Sequence, residues 1–397
     1  MSLDGIFDLL CKQSLNKKLH ILYLCSWFPN RYVPFLGNFV ENHAQSVGKL
    51  CQVSTLYVRA SKENPKEKFE IEEKLNGEVY SLNIYYRDST NPIFKLLRYV
   101  KAHFIGIRQI QKKLGKVDGV HLNIIKPAGL IALLFKWKLG LKYLITEHST
   151  IYLPENRNKM VWVERILIWF TLKEASLVTV VSQHLGKEIS QFGPISELKV
   201  INNVVDENLF KPEFSEDNKP FTFIHISTLD EGHKNPKGML RSFYTFKKMN
   251  QEARLIILSD GNLETIKSYS NELGLEDSIL FIGPSPASKV AEYLQTSDCL
   301  VLFSNYENMP VVVSEAWMCG IPVISSAVGG ISENLNVDNG ILVKPGDETA
   351  LSEAFAKIFS QKNSYSKALI SKEANRKFST KSIGNDLFWV YSSLFNK

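Results

Sequence analysis

Short, wholly apolar runs recur along this chain, spaced to leave room for a helix between many of them, and few folds accept that pattern. KLHILYLCS (18–26), CQVSTLYV (51–58), GVHLN (119–123), KYLITEH (142–148), LVTVVS (177–182) and LKVINN (198–203) are bounded by turn residues and read as buried strands. Helical patterns over 38–49, 92–115, 127–139 and 160–174 fall between several of them. Alternation of this kind predicts a parallel sheet with helices over both faces.

VVDENLFKPEFSEDNKP (204–220) breaks the rhythm with acids and prolines, as a connection between two folded units does. A second alternation follows. Its strand-like runs are FTFIHIST (221–228), ARLIILSDG (253–261), SILFIG (278–283), CLVLFS (299–304), IPVISS (321–326) and GILVKPG (340–346). Helices are expected over 236–249, 262–273 and 286–296, after Pro310, and through most of 347–396, whose end carries Phe388, Trp389, Tyr391 and Phe395. The expected fold is α/β, two doubly wound, Rossmann-like sheets facing across a cleft. Ligands of such sheets sit outside the carboxyl ends of the strands, so the chemistry belongs to the loops that follow them.

Composition agrees. A chain of 397 residues and 45.1 kDa is too long for one compact core. Its 44% hydrophobic and 22% charged content excludes extensive disorder. No apolar run nears the ~20 residues of a bilayer-spanning helix; PAGLIALLF (127–135) and WVERILIWF (162–170) are too short or carry charge. The first residues, MSLDGIFDLLCKQSLNKK, have early acids and no small-residue cleavage site, so no secretory leader is expected. Five cysteines without a CxxC pair read as reduced thiols of a cytoplasmic protein, and neither a disulfide framework nor a zinc site is expected. Residues 1–200 hold 28 Lys and Arg against 17 Asp and Glu, whereas the remainder holds 19 against 24. The basic half is open to three readings: solubilising lysines, an anionic membrane surface, or an anionic acceptor.

NYENMPVVVSEAWMCGIPVISS (305–326) sets Glu307 and Glu315 on either side of a valine run. Pro310 suits the first helical position, Gly320 the residue just past the end, and Pro322 blocks continuation. Val311 to Val313 then bury the helix, while the amides around Asn308 to Val312 face the cleft with the positive end of the helix dipole. Either glutamate alone reads equally as a cap or a surface residue. As a pair they fit vicinal sugar hydroxyls, because a carboxylate accepts two hydrogen bonds in a fork.

The E-x7-E spacing of Glu307 and Glu315, followed by AWMCGIPVISSAVGGISE, resembles the signature of the family 4 retaining glycosyltransferases of the GT-B fold. That resemblance covers most of the chain and is densest over 298–333. It implies a nucleotide diphosphate sugar as donor, retention at the anomeric carbon, no cofactor and no metal. It implies an acceptor-side domain over 1–205, a nucleotide-sugar domain over 206–380, and a C-terminal helix over 381–397 that crosses back to the first domain. Carried over residue by residue, Glu315 holds the donor ribose and Glu307 faces the transferred sugar. The segment Asn308, Met309, Pro310 and Val311 lies along that sugar and the phosphates, with its backbone amides toward them. Lys234, in HISTLDEGHKNPKG (225–238), supplies positive charge to the diphosphate as it leaves. The family's usual arginine is replaced by Thr228, with His233, Lys237 or the basic first domain as stand-ins. Gly37, in FLGNFVENHA (35–44), admits the donor phosphate, and His148, in TEHST (146–150), lies near the transferred sugar. Gly283 and Ser285 follow a strand where the family binds the base through backbone groups.

No general base is evident, which suits a reaction in which the leaving phosphate takes the acceptor's proton. Neither a P-loop nor a GxGxxG is present, so kinase and dehydrogenase chemistry have no anchor. The expected acceptor is a glycan or a lipid-linked glycan of cell-surface polysaccharide or glycoconjugate synthesis, and no nucleic-acid partner is expected. The basic amphipathic segment 92–116 leaves two readings open, ordinary packing or peripheral contact with the inner membrane face. A nucleotide-sugar epimerase or hydrolase, and a non-catalytic nucleotide-sugar-binding subunit, are the alternative functions.

Overall fold

The computed structural model describes residues 18–63, 67–214 and 219–396. Cys11 lies outside them; Cys25, Cys51, Cys299 and Cys319 are buried free thiols.

The first sheet is built from β1 (His20–Cys25), β2 (Gln52–Ala60), β3 (Phe69–Asn76), β4 (Val79–Tyr86), β5 (Gly119–Asn123), β6 (Tyr143–Glu147), β7 (Leu177–Val180) and β8 (Leu198–Val200). Its order is β3-β4-β2-β1-β5-β6-β7-β8. Every neighbouring pair is parallel except β3 with β4, a tight hairpin in which Asn76 faces Val79 across Gly77 at φ 55°. That hairpin departs from the all-parallel expectation, and its local cause is Gly77, whose positive φ opens the two-residue turn Gly77-Glu78. Crossovers run through α1 (Asn38–Gly48), α2 (Pro92–Leu114), α3 (Gly129–Leu139) and α4 (Trp162–Glu174), and α5 (Gln183–Ile189) precedes β8.

The second sheet is wholly parallel: β9 (Thr222–Ile226), β10 (Arg254–Leu258), β11 (Ile279–Ile282), β12 (Cys299–Leu302), β13 (Val323–Ser326) and β14 (Gly340–Val343) in the order β11-β10-β9-β12-β13-β14. Its helices are α6 (Glu231–Lys234), α7 (Pro236–Lys247), α8 (Leu263–Glu272), α9 (Ala287–Gln295), α10 (Val311–Met318), α11 (Ile331–Asn334) and α12 (Glu348–Ser360). Two more, α13 (Lys367–Phe378) and α14 (Thr380–Phe395), end the chain.

α14 returns to the first sheet and packs beside α1. Ile383, Leu387, Tyr391 and Phe395 share a buried cluster with Tyr23, Val40, Ala44 and Val47. The Tyr391 hydroxyl lies 2.6 Å from the Tyr23 hydroxyl and 2.7 Å from His121 Nδ1, so its polar end is satisfied inside that core. The two passages between the sheets touch at the bridge Val205–Ser379, and the Thr380 amide donates to Glu207 Oε2 at 2.9 Å. Strand order reverses between β1 and β5 and again between β9 and β12, which places the ligand crevice at the loops after those strands.

Candidate active site between the two sheets

The loop after β12 forms the middle of the site. Glu307 is only 5% exposed, and Lys234 at the end of α6 donates from Nζ to its Oε1. His233 Nε2 stands 3.5 Å from Oε2, and its ring lies flat on Tyr306 with centroids 4.3 Å apart. Burial works to raise the Glu307 carboxyl, but His233 and Lys234 outweigh it and hold the group below the ordinary carboxylate range. The result is an ionised, oriented carboxylate rather than a proton donor. Of the two side chains named as stand-ins for the missing arginine, His233 is the one beside Glu307; Lys237 lies over the Tyr269 ring at 5.2 Å.

α10 begins at Val311 with Pro310 as its N-cap, one residue later than the sequence suggests, and no side chain caps it. Its first amides are therefore left for an external acceptor. Glu315 sits one turn along, on the same side as Val311. It is partly exposed, without a hydrogen-bond or ion-pair partner among the described residues, and its enclosed position lifts the carboxyl to about 7.

A cavity of about 180 Å³ joins the two domains here. Trp27, Phe39, His148 and Asn203 line it from the first domain, and residues 307–311 from the second. The Asn308 side-chain amide donates to the His148 carbonyl at 2.7 Å, and that of Asn203 to the Met309 carbonyl at 3.1 Å. These bonds leave Asn308 Oδ1, Asn203 Oδ1 and His148 Nε2 buried without a hydrogen bond of good geometry. His148 and Asn203 lie near enough to interact with each other, and Asn308 Oδ1 beside them is the atom a polyhydroxylated ligand would pair with. The His148 ring rests on Phe39 at 4.4 Å and near His43 at 5.5 Å. Burial, then the neighbouring imidazoles His43 and His121, depress its pKa well below the usual value, so it is neutral.

Two glycines hold the backbone of this site. Gly37, at φ 66°, ends the loop before α1, and a Cβ there would lie 2.7 Å from the Trp27 carbonyl. Gly329, at φ 52°, lies against the Glu307 carbonyl, which a side chain would overlap. The next residue, Gly330, donates its amide to the Asn308 carbonyl at 2.6 Å. Gly283 and Ser285 follow β11, the outermost strand, on the same edge of the sheet but outside the cavity. Among the described residues no His, Cys, Asp and Glu cluster could hold a metal ion.

Several contributing residues escape a reading of the sequence. Glu147 is fully buried and accepts from the amides of Ile125, His148 and Ser149 and from the Tyr152 hydroxyl, all at 2.8–3.0 Å. It fixes the loop that carries His148. Glu333 accepts from the amides of Gln183 and His184 at 2.9 and 2.7 Å, clamping α11 to the start of α5 across the cleft. Phe39, His43 and Asn203 act through contacts distant in sequence, and only the position of Asn203 at the end of a strand-like run hinted at it.

Two facing Rossmann-like sheets with this carboxylate-bearing loop at their switch points define a GT-B glycosyltransferase. The model described as Glycosyltransferase Family 4 matches residues 37–209, and that described as Glycosyl transferases group 1 matches 206–377. The chain belongs to this glycosyltransferase family. It is 28% identical over 289 residues to N-acetyl-alpha-D-glucosaminyl L-malate synthase of Bacillus anthracis, covering 68% of this chain and 73% of that one. With the lipopolysaccharide 1,6-galactosyltransferase of Escherichia coli it shares 27% identity over 58% of this chain and 69% of the other. Among solved structures, sucrose-phosphate synthase of Thermosynechococcus elongatus superposes with a TM-score of 0.76 at 17% identity, over 96% of this chain and all of that one. HepE of Anabaena, solved with UDP and glucose, gives 0.72 at 19% identity, over 94% and 99%.

Proposed function

We propose that this glycosyltransferase takes a sugar from a nucleotide diphosphate and passes it to a glycan or lipid-linked acceptor, with retention and without a metal ion. The observation that carries the reading is Glu307, buried and ionised between Lys234 and His233 at the open end of α10. The diphosphate lies along the first amides of α10, with Lys234 as its counter-charge and His233 beside it. Glu307 holds a hydroxyl of the transferred sugar and eases positive charge developing on its ring. Glu315, unpartnered and one turn away, accepts the two ribose hydroxyls, and His148 meets the sugar as a neutral imidazole. As the bond from the anomeric carbon to the phosphate oxygen breaks, its electron pair stays on that oxygen. The acceptor oxygen bonds on the same face and gives its proton to the departing phosphate. Relatives named for lipopolysaccharide and Vi polysaccharide synthesis support a cell-surface glycan as the product.

The test is turnover of a panel of nucleotide sugars in excess EDTA, with the anomeric configuration of the product read by NMR. Release of nucleotide that is insensitive to EDTA, with a retained configuration, is expected. An inverted product or a strict metal requirement overturns the corresponding part.

We also place the protein in the cytoplasm, against an anionic membrane. No helix among the described residues is long and apolar enough to cross one. α4 fits the contact better than the 92–116 segment. Trp162 (72% exposed), Val163, Ile166, Trp169 and Phe170 form an outward stripe at helical spacing. Residues 126–174 around it carry eight Lys and Arg against four Asp and Glu, the combination of an interfacial helix. Co-sedimentation with phosphatidylglycerol vesicles, lost on Trp162→Ser/Trp169→Ser, is the expected result; equal pelleting with and without the tryptophans contradicts it.

A further inference from the structure

The carboxyl edge of the first sheet holds a second, larger cavity that the transfer site does not use. It measures about 530 Å³ and opens where β2 and β4 end, one and two strands away from β1. At about 4.8 Å per strand, that sets it roughly 5–10 Å to the side of the loop that carries Trp27. Arg59, Lys62, Arg87 and Lys95 line it, with Glu63 and Asp88 as the acids.

The charges do not cancel locally. Lys95 pairs with Asp88 at 3.0 Å, and Arg98 donates to the Arg87 and Asp88 carbonyls at 2.8 Å, which fixes the far wall. Arg59 is half-buried, yet its bonds are to neutral groups: the Asn30 carboxamide oxygen at 3.1 Å and the Tyr57 hydroxyl. No carboxylate pairs with it or with Lys62 among the described residues. Tyr32 backs both, its ring 5.2 Å from the Arg59 guanidinium and 5.6 Å from Lys62 Nζ, and its hydroxyl is tied to Ser61 at 2.9 Å. A half-buried guanidinium without a carboxylate partner keeps its charge uncompensated, and a fork of donors facing an open recess is what phosphate oxygens bind.

We propose that this cavity is a subsite for a phosphoryl group on the acceptor, gripped by Arg59 and Lys62. The inference rests on the transferase reading for its meaning, since the acceptor must enter along this edge to reach the sugar. Asn30 links it to the site physically: it holds Arg59 and belongs to the loop between β1 and Gly37. The phosphate of a lipid-linked diphosphate and that of a soluble sugar phosphate present the same chemistry here.

Calorimetric titration of inorganic pyrophosphate tests it, on the full chain saturated with the nucleotide diphosphate that binds best, so that the donor site is occupied. One site is expected, weakened at least tenfold in Arg59→Gln/Lys62→Gln and severalfold in Lys62→Gln alone, an exposed position whose change leaves the fold intact. Nucleotide affinity should be the same in all three proteins. Farnesyl diphosphate and glucose 6-phosphate, titrated in parallel, separate a lipid-linked from a soluble source by which one gains most over pyrophosphate. Pyrophosphate binding that is absent, or unchanged in both variants, overturns the subsite. If no nucleotide binds, the donor reading falls instead, and titration without nucleotide still reports whether pyrophosphate binding depends on Arg59 and Lys62.

Discussion

Burial lifts the Glu315 carboxyl to about 7, above its ordinary value of 4.5, and the sign of its pH effect follows. Stability associated with the protonated group is complete below the unfolded value and is lost as pH rises through 7. Glu315→Gln should therefore match the wild type near pH 4 and melt a few degrees higher at pH 8. A melting temperature that does not diverge with pH contradicts the assignment. Ribose hydroxyls prefer the ionised carboxylate, so nucleotide affinity of the wild type should rise between pH 6 and 8 and stay flat in Glu315→Gln. Lys234→Ala removes the stronger counter-charge of Glu307 and should lower turnover about a hundredfold, as loss of one transition-state donor typically does. Gly329→Ala forces a side chain onto the Glu307 carbonyl at φ 52°, where a Cβ already costs about 1–2 kcal/mol. Its turnover should drop by more than tenfold with a lowered melting temperature; normal turnover would mean the loop around Glu307 has freedom the packing denies. Glu307, Lys234 and residues 308–311 were legible in the sequence because they share short motifs beside strands. Asn203 and His43 were not, since each acts through a partner that only the folded chain brings near, and Glu147 was not, because only its burial in the folded chain shows that it anchors the loop of His148.

At the scale of elements, the periodic pattern located most helices to within a residue or two. Each amphipathic segment lies between apolar runs whose burial requires a crossover. The hairpin of β3 and β4 was the exception. β3 is an edge strand with mostly polar residues, so it lacks the apolar run that marks a buried strand, and Gly77 was its available sign. The return of α14 was expected from the resemblance rather than from its own residues, and its aromatic side chains explain why it docks. Tyr391→Phe should cost about 1–3 kcal/mol, because His121 Nδ1 loses its partner inside the core, whereas the Tyr23 hydroxyl keeps the His43 carbonyl at 3.3 Å. Urea unfolding measures this, and an unchanged midpoint would show that the hydroxyl cluster is not part of the docking energy.

At the scale of the molecule, three polar contacts hold the domains about the cavity: Asn308 to His148, Asn203 to Met309, and Glu333 to the start of α5. The passages also meet at Val205 and Ser379, and one buried apolar cluster has members from both domains. Glu333→Ala should open the cleft and raise the radius of gyration above the roughly 21 Å of a compact chain this long, with nucleotide reversing the change. Small-angle scattering reads both effects, and an identical profile for the variant would assign closure to the other contacts. The central claim is that Glu307 and Glu315 serve two different sugar rings of one donor. Calorimetric titration of UDP, GDP and ADP into the wild type and Glu315→Ala tests it most directly. One nucleotide saturating a single site in the wild type, with at least a tenfold loss in the variant, is the predicted result. Equal binding by wild type and variant, or no binding of any of the three, would contradict it.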